Sequence, residues 1–303
     1  MTDLAIETRA LTVRFGDLAA VNGLDLAVRQ GEMFGLVGPD GAGKTTAMRT
    51  LCGVLRPTSG EAKVLGYDLA SELDRIKPCI GYLSQRFSLY RDLTVDENIA
   101  FFAEVHQVGD YRRRREELLA FTRLAPFRDR LTDRLSGGMK QKLALACTLI
   151  HTPKVILLDE PTTGVDPVSR RDFWKILSGL LRSGITILMT TPYLDEAERC
   201  TRVGLMSEGR LMAVDTPQGL KDRLTGVVIE IVCDPVRRAF NALRASETEV
   251  QAFGDRLNVV VLDAERDLPP IRRQLEAEGV AVSGWRVVPP SLENVFISLL
   301  KRT

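Results

Sequence analysis

The nine residues Gly38-Pro39-Asp40-Gly41-Ala42-Gly43-Lys44-Thr45-Thr46 have the types and spacing to hold a polyphosphate. Their core, Gly38-x-x-x-x-Gly43-Lys44-Thr45, fits a phosphate-binding loop. Glycines let successive backbone N–H groups curl around anionic oxygens, where side chains would intrude. Lys44 can reach the β- and γ-phosphates, and the Thr45 hydroxyl can ligate Mg²⁺. A second anion site is expected at Ser136-Gly137-Gly138, ahead of the apolar segment Lys140–Ile150, because a helix start exposes N–H groups and the positive dipole end. A third group is Val155-Ile156-Leu157-Leu158-Asp159-Glu160, an apolar run ending in two carboxylates. Such a run suits a central parallel strand buried on both faces, and its C-terminal edge is where open α/β sheets bind ligands.

The elements that must position these groups can be read from local pattern. Met33–Val37 is an apolar strand candidate, and Thr45–Cys52 reads as a helix opening toward the loop. Ala5–Arg29 alternates in strand fashion about a turn at Phe15-Gly16-Asp17. Arg56–Gly60 is a turn, followed by short strands at Glu61–Leu65 and Ile80–Leu83, the second ending near Gln85. Thr94-Val95-Asp96-Glu97 is a capping box that opens a helix running to about His106. A further helix is expected over Tyr111–Leu124. Its Arg112–Arg115 run could be taken for a nucleic-acid patch, but Glu116 and Glu117 follow at helical spacing, so a solvated ion-paired face is the simpler reading. Thr186–Thr190 is a third apolar strand. From Gly226 the order becomes strand, helix, strand, strand, helix, strand, with helices at Pro235–Arg244 and Pro269–Gly279 and a terminal helix at Leu292–Lys301. That order is ferredoxin-like. Residues 1–225 and 226–303 are therefore expected to be separate domains, the first with a helical subdomain over about 87–150.

Composition narrows the function classes. The chain has 303 residues, 45% hydrophobic and 27% charged, which is ordinary for a globular protein with about two domains. A net charge of +1 gives no electrostatic case for nucleic acid as a main partner. Met1–Ala10 lacks the apolar core of a signal peptide, and no stretch approaches the ~18 apolar residues of a membrane span. A cytoplasmic location is expected, with any membrane contact made through a partner. The five cysteines (Cys52, Cys79, Cys147, Cys200 and Cys233) are scattered without a C-x-x-C pair, as expected of reduced thiols.

Taken together, Gly38–Thr46, Leu135-Ser136-Gly137-Gly138-Met139 and Val155–Glu160 resemble the ATP-binding subunit of an ATP-binding-cassette (ABC) transporter, over roughly Leu4–Leu224. The SGGM form of the signature and the Pro290-Ser291-Leu292-Glu293 ending are similar to daunorubicin-resistance-type exporters. The resemblance implies an α/β P-loop cassette with antiparallel β and helical subdomains, followed by the small α+β domain. It implies ATP and Mg²⁺ as ligands, hydrolysis of ATP coupled to transport, and Phe15 as the aromatic that stacks on adenine. Gly38–Thr46 becomes the Walker A loop, with Asp40 where Asn is common. Gln85 becomes the Q-loop glutamine at the Mg²⁺ and water site, facing the groove that receives a coupling helix. Asp159 is implied as a metal ligand beside Thr45, and Glu160 as the carboxylate that polarises water. Ser136, Gly137 and Gly138 are implied to contact the γ-phosphate held by another subunit, and Gly164-Val165-Asp166 to form the D-loop at that interface. Implied partners are a second nucleotide-binding subunit, the same or different, and integral membrane permease subunits at the inner face of the cell membrane.

One position departs from the family pattern. In Thr190-Thr191-Pro192-Tyr193-Leu194-Asp195-Glu196, proline stands where the family's switch histidine is expected. Proline has neither a side-chain donor nor a backbone N–H, so residue 192 itself cannot donate to a γ-phosphate. Two readings stay open at this level: a working ATPase with slowed turnover, or a chain that binds ATP, hydrolyses it poorly and pairs with a subunit carrying the histidine. A soluble ABC ATPase acting on DNA or ribosomes, or a regulatory ATP-binding module, are the alternatives from other classes. The single cassette and balanced charge weigh against nucleic acid.

Overall fold

The computed structural model describes residues 3–85, 88–246 and 249–302. Phe87, where the helical subdomain was expected to begin, lies outside them. The chain forms two compact units, Met1–Val214 and Asp215–Thr303.

In the first unit, strands β1 (Leu4–Phe15) and β2 (Leu18–Arg29) form the expected hairpin, with Gly16 taking φ 58° in the turn. Next come β3 (Met33–Val37), α1 (Lys44–Leu51), β4 (Ser59–Val64), β5 (Tyr67–Asp68), α2 (Leu73–Ile76) and β6 (Ile80–Leu83). A helical stretch follows, with α3 (Val95–Val105), α4 (Arg112–Thr122) and α5 (Gly137–Leu149). The chain then runs through β7 (Val155–Asp159), α6 (Pro167–Arg182), β8 (Thr186–Thr191), α7 (Leu194–Ala197), β9 (Arg202–Ser207) and β10 (Arg210–Asp215).

Two sheets result. One is antiparallel, in the order β2-β1-β4-β5. The other has the order β10-β9-β3-β8-β7-β6, with β6, β7, β8, β3 and β9 joined in parallel. Every residue of β3, β7 and β8 is buried, as continuous apolar runs require when both faces of a sheet are covered. Leu36, Leu157 and Leu188 of these strands pack with Val21 and Leu24 of the antiparallel sheet in one core. The floor that carries the candidate chemistry is therefore stiff.

The helical stretch is pinned by capping and by one buried amide. Thr94 Oγ1 accepts from Glu97 N at 3.2 Å, and the Glu97 carboxylate accepts from Thr94 N at 2.7 Å, so the capping box forms as expected. Asn98, fully buried, donates to Thr132 Oγ1 at 2.9 Å and to the Tyr90 carbonyl at 3.0 Å, and accepts from Tyr90 N at 3.0 Å. The arginine run is ion-paired: Arg113 and Arg114 both reach Glu117, while Glu116 turns to Arg128. Helix α5 begins three residues earlier than its apolar pattern suggests, because Ser136 Oγ caps it by accepting from Met139 N at 3.3 Å.

The second unit holds α8 (Pro217–Lys221), β11 (Val227–Asp234), α9 (Val236–Ala245), β12 (Glu249–Phe253), β13 (Arg256–Val261), α10 (Ala264–Ala277), β14 (Ala281–Val288) and α11 (Leu292–Arg302). Its antiparallel sheet has the order β12-β13-β11-β14, which is the ferredoxin-like arrangement expected from the βαββαβ pattern. Helix α10 corrects the expected start at Pro269. It opens at Ala264, where Asp263 caps by accepting from Glu265 N and Arg266 N, and Pro269 and Pro270 lie inside it. The Asp cap fixes the first turn, so the prolines do not mark the start.

Candidate functional site

The phosphate-binding loop runs from the end of β3 into α1. Gly43, at φ 98°, is the residue before the helix, and no side chain caps the first turn. The first-turn N–H groups of α1 are thus left without a side-chain acceptor. A Cβ on Gly38 would run into the Met206 carbonyl oxygen, and one on Gly43 into the Ala20 carbonyl oxygen. Glycine is thus required at both ends of the loop by neighbouring backbone. Between them Pro39, Asp40 and Gly41 are exposed and Ala42 is buried; past Gly43, Thr45 and Thr46 are half-buried.

Lys44 is buried and bends back into the loop. Its Nζ donates to the carbonyls of Gly38 at 2.8 Å and Pro39 at 2.9 Å, and lies 3.5 Å from Glu160 Oε1. Strand β7 delivers Asp159 and Glu160 to the same place. Asp159 Oδ1 accepts from Thr45 Oγ1 at 3.0 Å and from Thr190 Oγ1 at 2.8 Å. Gln85 Nε2 donates to Glu160 Oε2 at 3.0 Å, with Thr163 Oγ1 3.4 Å from the same oxygen. Lys44, Thr45, Gln85, Asp159 and Glu160 thus converge although they come from three separate stretches of chain.

The donor set fits a small hard cation. Among the described residues no group of three or more His, Cys, Asp or Glu could hold a metal unaided. One hydroxyl and one carboxylate, Thr45 and Asp159, already share a hydrogen bond at the mouth of the loop. Mg²⁺ characteristically binds so few protein oxygens when phosphates and waters complete its octahedron.

Phe15 ends β1 and is 52% exposed, so its ring has an open face for a base. The signature residues stand apart. Among the described residues no hydrogen bond joins Ser136, Gly137 or Gly138 to Gly38–Thr46. Gly137 is exposed with open space where a Cβ would go, whereas Gly138 is buried and a Cβ there would overlap Ser169 on α6. The two glycines therefore differ in kind: one faces out, and the other lets α5 approach the helix that follows Asp166. Asp166 caps α6 by accepting from Val168 N and Ser169 N.

Three neighbours were not singled out from sequence. Thr190 donates to Asp159 and accepts from Glu160 N at 3.0 Å, tying both carboxylate-bearing residues to β8. The Tyr82 hydroxyl lies 3.4 Å from Asp159 Oδ2, and burial, helped by the Asp159 charge, pushes it up to about 12. Glu196 is buried between Thr162 and Thr191. A Thr-Thr pair at a strand end was the available signal for Thr190. No motif spacing points to Glu196, because the partner that makes it a brace, Thr162, lies 34 positions away in sequence. Pro192 is half-buried next to Thr191, whose carbonyl lies 3.4 Å from Gly38 N, so the strand end does abut the loop.

Beside Gln85 a cleft of about 680 Å³ is lined by Leu83, Ser84, Phe102, Val105, His106 and His151 among others. The two histidine rings stack there, with centroids 4.0 Å apart and planes at 13°. The Ile80 carbonyl can only accept, so His151 must donate to it through Nε2 at 2.8 Å, and its Nδ1 is buried without a partner. Burial lowers the pKa of both rings, and each ring's charge would disfavour charge on its neighbour.

A parallel-sheet cassette with a glycine loop, paired strand-end carboxylates and an outlying Ser-Gly-Gly helix start defines an ABC-type nucleotide-binding cassette. The chain belongs to the ABC transporter family, whose model matches residues 21–163. It is 42% identical to the "Probable multidrug ABC transporter ATP-binding protein YbhF" of Escherichia coli (strain K12), over 99% of this chain but only 53% of that protein. The chain therefore spans about half the length of that relative. It is 37% identical to the daunorubicin resistance ATP-binding protein DrrA2 of Streptomyces coeruleorubidus, covering 99% of this chain and 96% of the relative. Among solved structures it resembles the dimeric post-hydrolysis ATP-binding cassette MJ0796 bound to ADP and Pi, with a TM-score of 0.63 and 26% identity over 70% of this chain and 98% of that one.

Proposed function

We propose that this chain binds and hydrolyses ATP as the energising subunit of an ABC exporter. The observation that carries the reading is the placement of Glu160, held by Gln85 and facing Lys44 at the mouth of the glycine loop. Phosphoryl transfer asks a protein mainly to position the nucleophile and to stabilise charge on the transferred group. Gly38–Thr46 would wrap the phosphates with backbone N–H groups, Lys44 would leave the Gly38 and Pro39 carbonyls for the β- and γ-oxygens, and Phe15 would stack on adenine. Glu160 would hold the attacking water in line and accept its proton as the water oxygen bonds to the γ-phosphorus and the bond from that phosphorus to the β–γ bridging oxygen breaks, with ADP leaving. Thr45, Asp159 and Gln85 are the residues that would hold Mg²⁺, which supplies neutralisation of the phosphate charge when bound.

The same reading makes the site composite. Among the described residues Ser136, Gly137 and Gly138 make no hydrogen bond to their own chain's loop, and Gly137 faces out, so the signature N–H groups would meet the γ-phosphate held by a second subunit. ATP would then act as the glue of a dimer, and loss of the γ-phosphate would release it. The dimeric MJ0796 cassette supports that arrangement. The cleft beside Gln85 would receive a segment of an integral membrane permease. Among the described residues no helix is long and apolar enough to cross a membrane, so peripheral attachment at the cytoplasmic face through that permease is the consistent location. Residues 226–303 would act as an accessory domain. Pro192 favours slow turnover, because the family's side-chain donor to the γ-phosphate is replaced by a residue without one.

ATPase measurement on the purified chain beside Glu160→Gln tests the proposal. Turnover that falls by about two orders of magnitude or more in the variant, with ATP binding kept, is the expected result. Equal turnover in the two proteins would sink it.

A further inference from the structure

We infer that Glu196 is a positioning residue for Glu160: its buried carboxylate locks the strand end carrying Pro192 to the segment that follows Glu160. The inference rests on the reading that this site hydrolyses ATP. Glu196 is 1% exposed, on the short helix α7 just past Pro192. Thr162 Oγ1 lies 2.6 Å from its Oε1 and 2.8 Å from its Oε2. Thr191 Oγ1 donates to Oε2 at 2.9 Å and itself accepts from Tyr193 N at 3.0 Å. Residue 192 is thereby enclosed between two anchored neighbours. On the third side Arg170 of α6 brings Nε to 3.5 Å from Oε1, and its guanidinium lies 5.1 Å from the Tyr193 ring centroid.

These contacts bear on Glu160 directly. Glu160 has φ 48°, a left-handed conformation that a non-glycine residue keeps only where its surroundings hold it. One hold comes from before it, where Thr190 accepts from Glu160 N. The other comes from after it, where Thr162, two residues on, is tied to Glu196. Successive residues of a strand point to opposite faces, so Thr190 and Thr191 serve the two sides of the same brace. A histidine at 192 would couple this strand end to the phosphate. With proline there, the strand end is instead fixed by contacts among protein groups alone. Glu196 also reaches α6, whose start is capped by Asp166, so the brace takes in the Gly164–Asp166 loop.

A residue that only aims Glu160 should change the rate of the bound complex and leave nucleotide binding alone. The test is steady-state ATPase of the full chain for wild type, Glu160→Gln, Glu196→Gln, Thr162→Val and Thr162→Ser, with ATP affinity and melting temperature of each. Glu196→Gln and Thr162→Val are expected to lower kcat by about 10–100-fold, as loss of an outer support typically does. KM and ATP affinity should stay within about threefold, and Thr162→Ser, which keeps the hydroxyl, should return kcat near wild type. Unchanged kcat in both Glu196→Gln and Thr162→Val overturns the inference. So does a fall in kcat matched by equal losses of ATP affinity and melting temperature, which would make the cluster ordinary core support. Wild-type turnover that Glu160→Gln leaves untouched overturns the hydrolysis reading itself. Turnover that needs Glu160 but neither Glu196 nor Thr162 overturns only the positioning role.

Discussion

On the proposed reading, residue 192 would separate binding from turnover in this site. The glycine loop, Lys44, Asp159 and Glu160 are all in place, yet the residue that abuts the loop beside Thr191 cannot donate a hydrogen bond from side chain or backbone. Pro192→His is therefore expected to raise kcat toward a ceiling of about 10²–10³, the usual worth of one oriented donor to a transition state. KM for ATP should change little, because ground-state contacts are untouched. A steady-state comparison of the two proteins decides it, and an unchanged kcat would mean the histidine's task is already met by other groups. The residue scale was the most legible in sequence. Walker-type residues announce themselves by spacing because glycine is demanded by backbone crowding, at Gly38 by Met206 and at Gly43 by Ala20. Glu196 did not, since its burial comes from Thr162 and Thr191, and the Thr162 contact spans 34 positions of sequence.

Elements were legible where their signals are local. The capping box at Thr94 and the strand Ile80–Leu83 stand where pattern put them. Helix α10 did not, because Pro269 and Pro270 hid a start that Asp263 sets. Strands β9 and β10 carried no pattern strong enough to name; β9 is placed in the sheet by pairing with β3, and β10 by lying beside β9 at the edge. At this scale Asn98 should matter most to the helical stretch. Asn98→Ala would leave Tyr90 N and the Thr132 hydroxyl without their buried partner, and a loss of about 3 kcal/mol is expected in urea unfolding. A loss under about 1 kcal/mol would mean water replaces the amide.

The stacked pair His106 and His151 gives the same stretch a pH dependence. Both rings have lowered pKa values in the fold, so the unfolded chain binds more protons between the folded values and the ordinary 6.5. Their contribution is complete above 6.5 and is lost as pH falls through the folded values. Protonating His151 would also place a proton on buried Nδ1, which has no acceptor. Unfolding midpoints measured from pH 8 to 5 should therefore fall with acidity, and less steeply in His106→Gln. Equal slopes would remove the pair from the account.

At the scale of the whole molecule the proposed composite site raises the question of which chain would complete it. This chain carries an intact loop and paired carboxylates together with an outward-facing Gly137, so two copies related by a two-fold axis would each supply what the other lacks. Lys44→Ala disables the loop and leaves the signature intact, whereas Ser136→Arg blocks the signature and leaves the loop. Each variant alone should be inactive. In an equal mixture about half of the dimers are mixed, and each mixed dimer holds one complete site of two, so recovery of about a quarter of wild-type ATPase is expected. Site residues acting within one chain could not complement in this way, because no molecule in the mixture would hold both intact parts. No recovery, with mixed dimers demonstrated by differential tagging, would assign the completing signature to a different subunit. Pro192 would then belong to the slow half of an unequal pair.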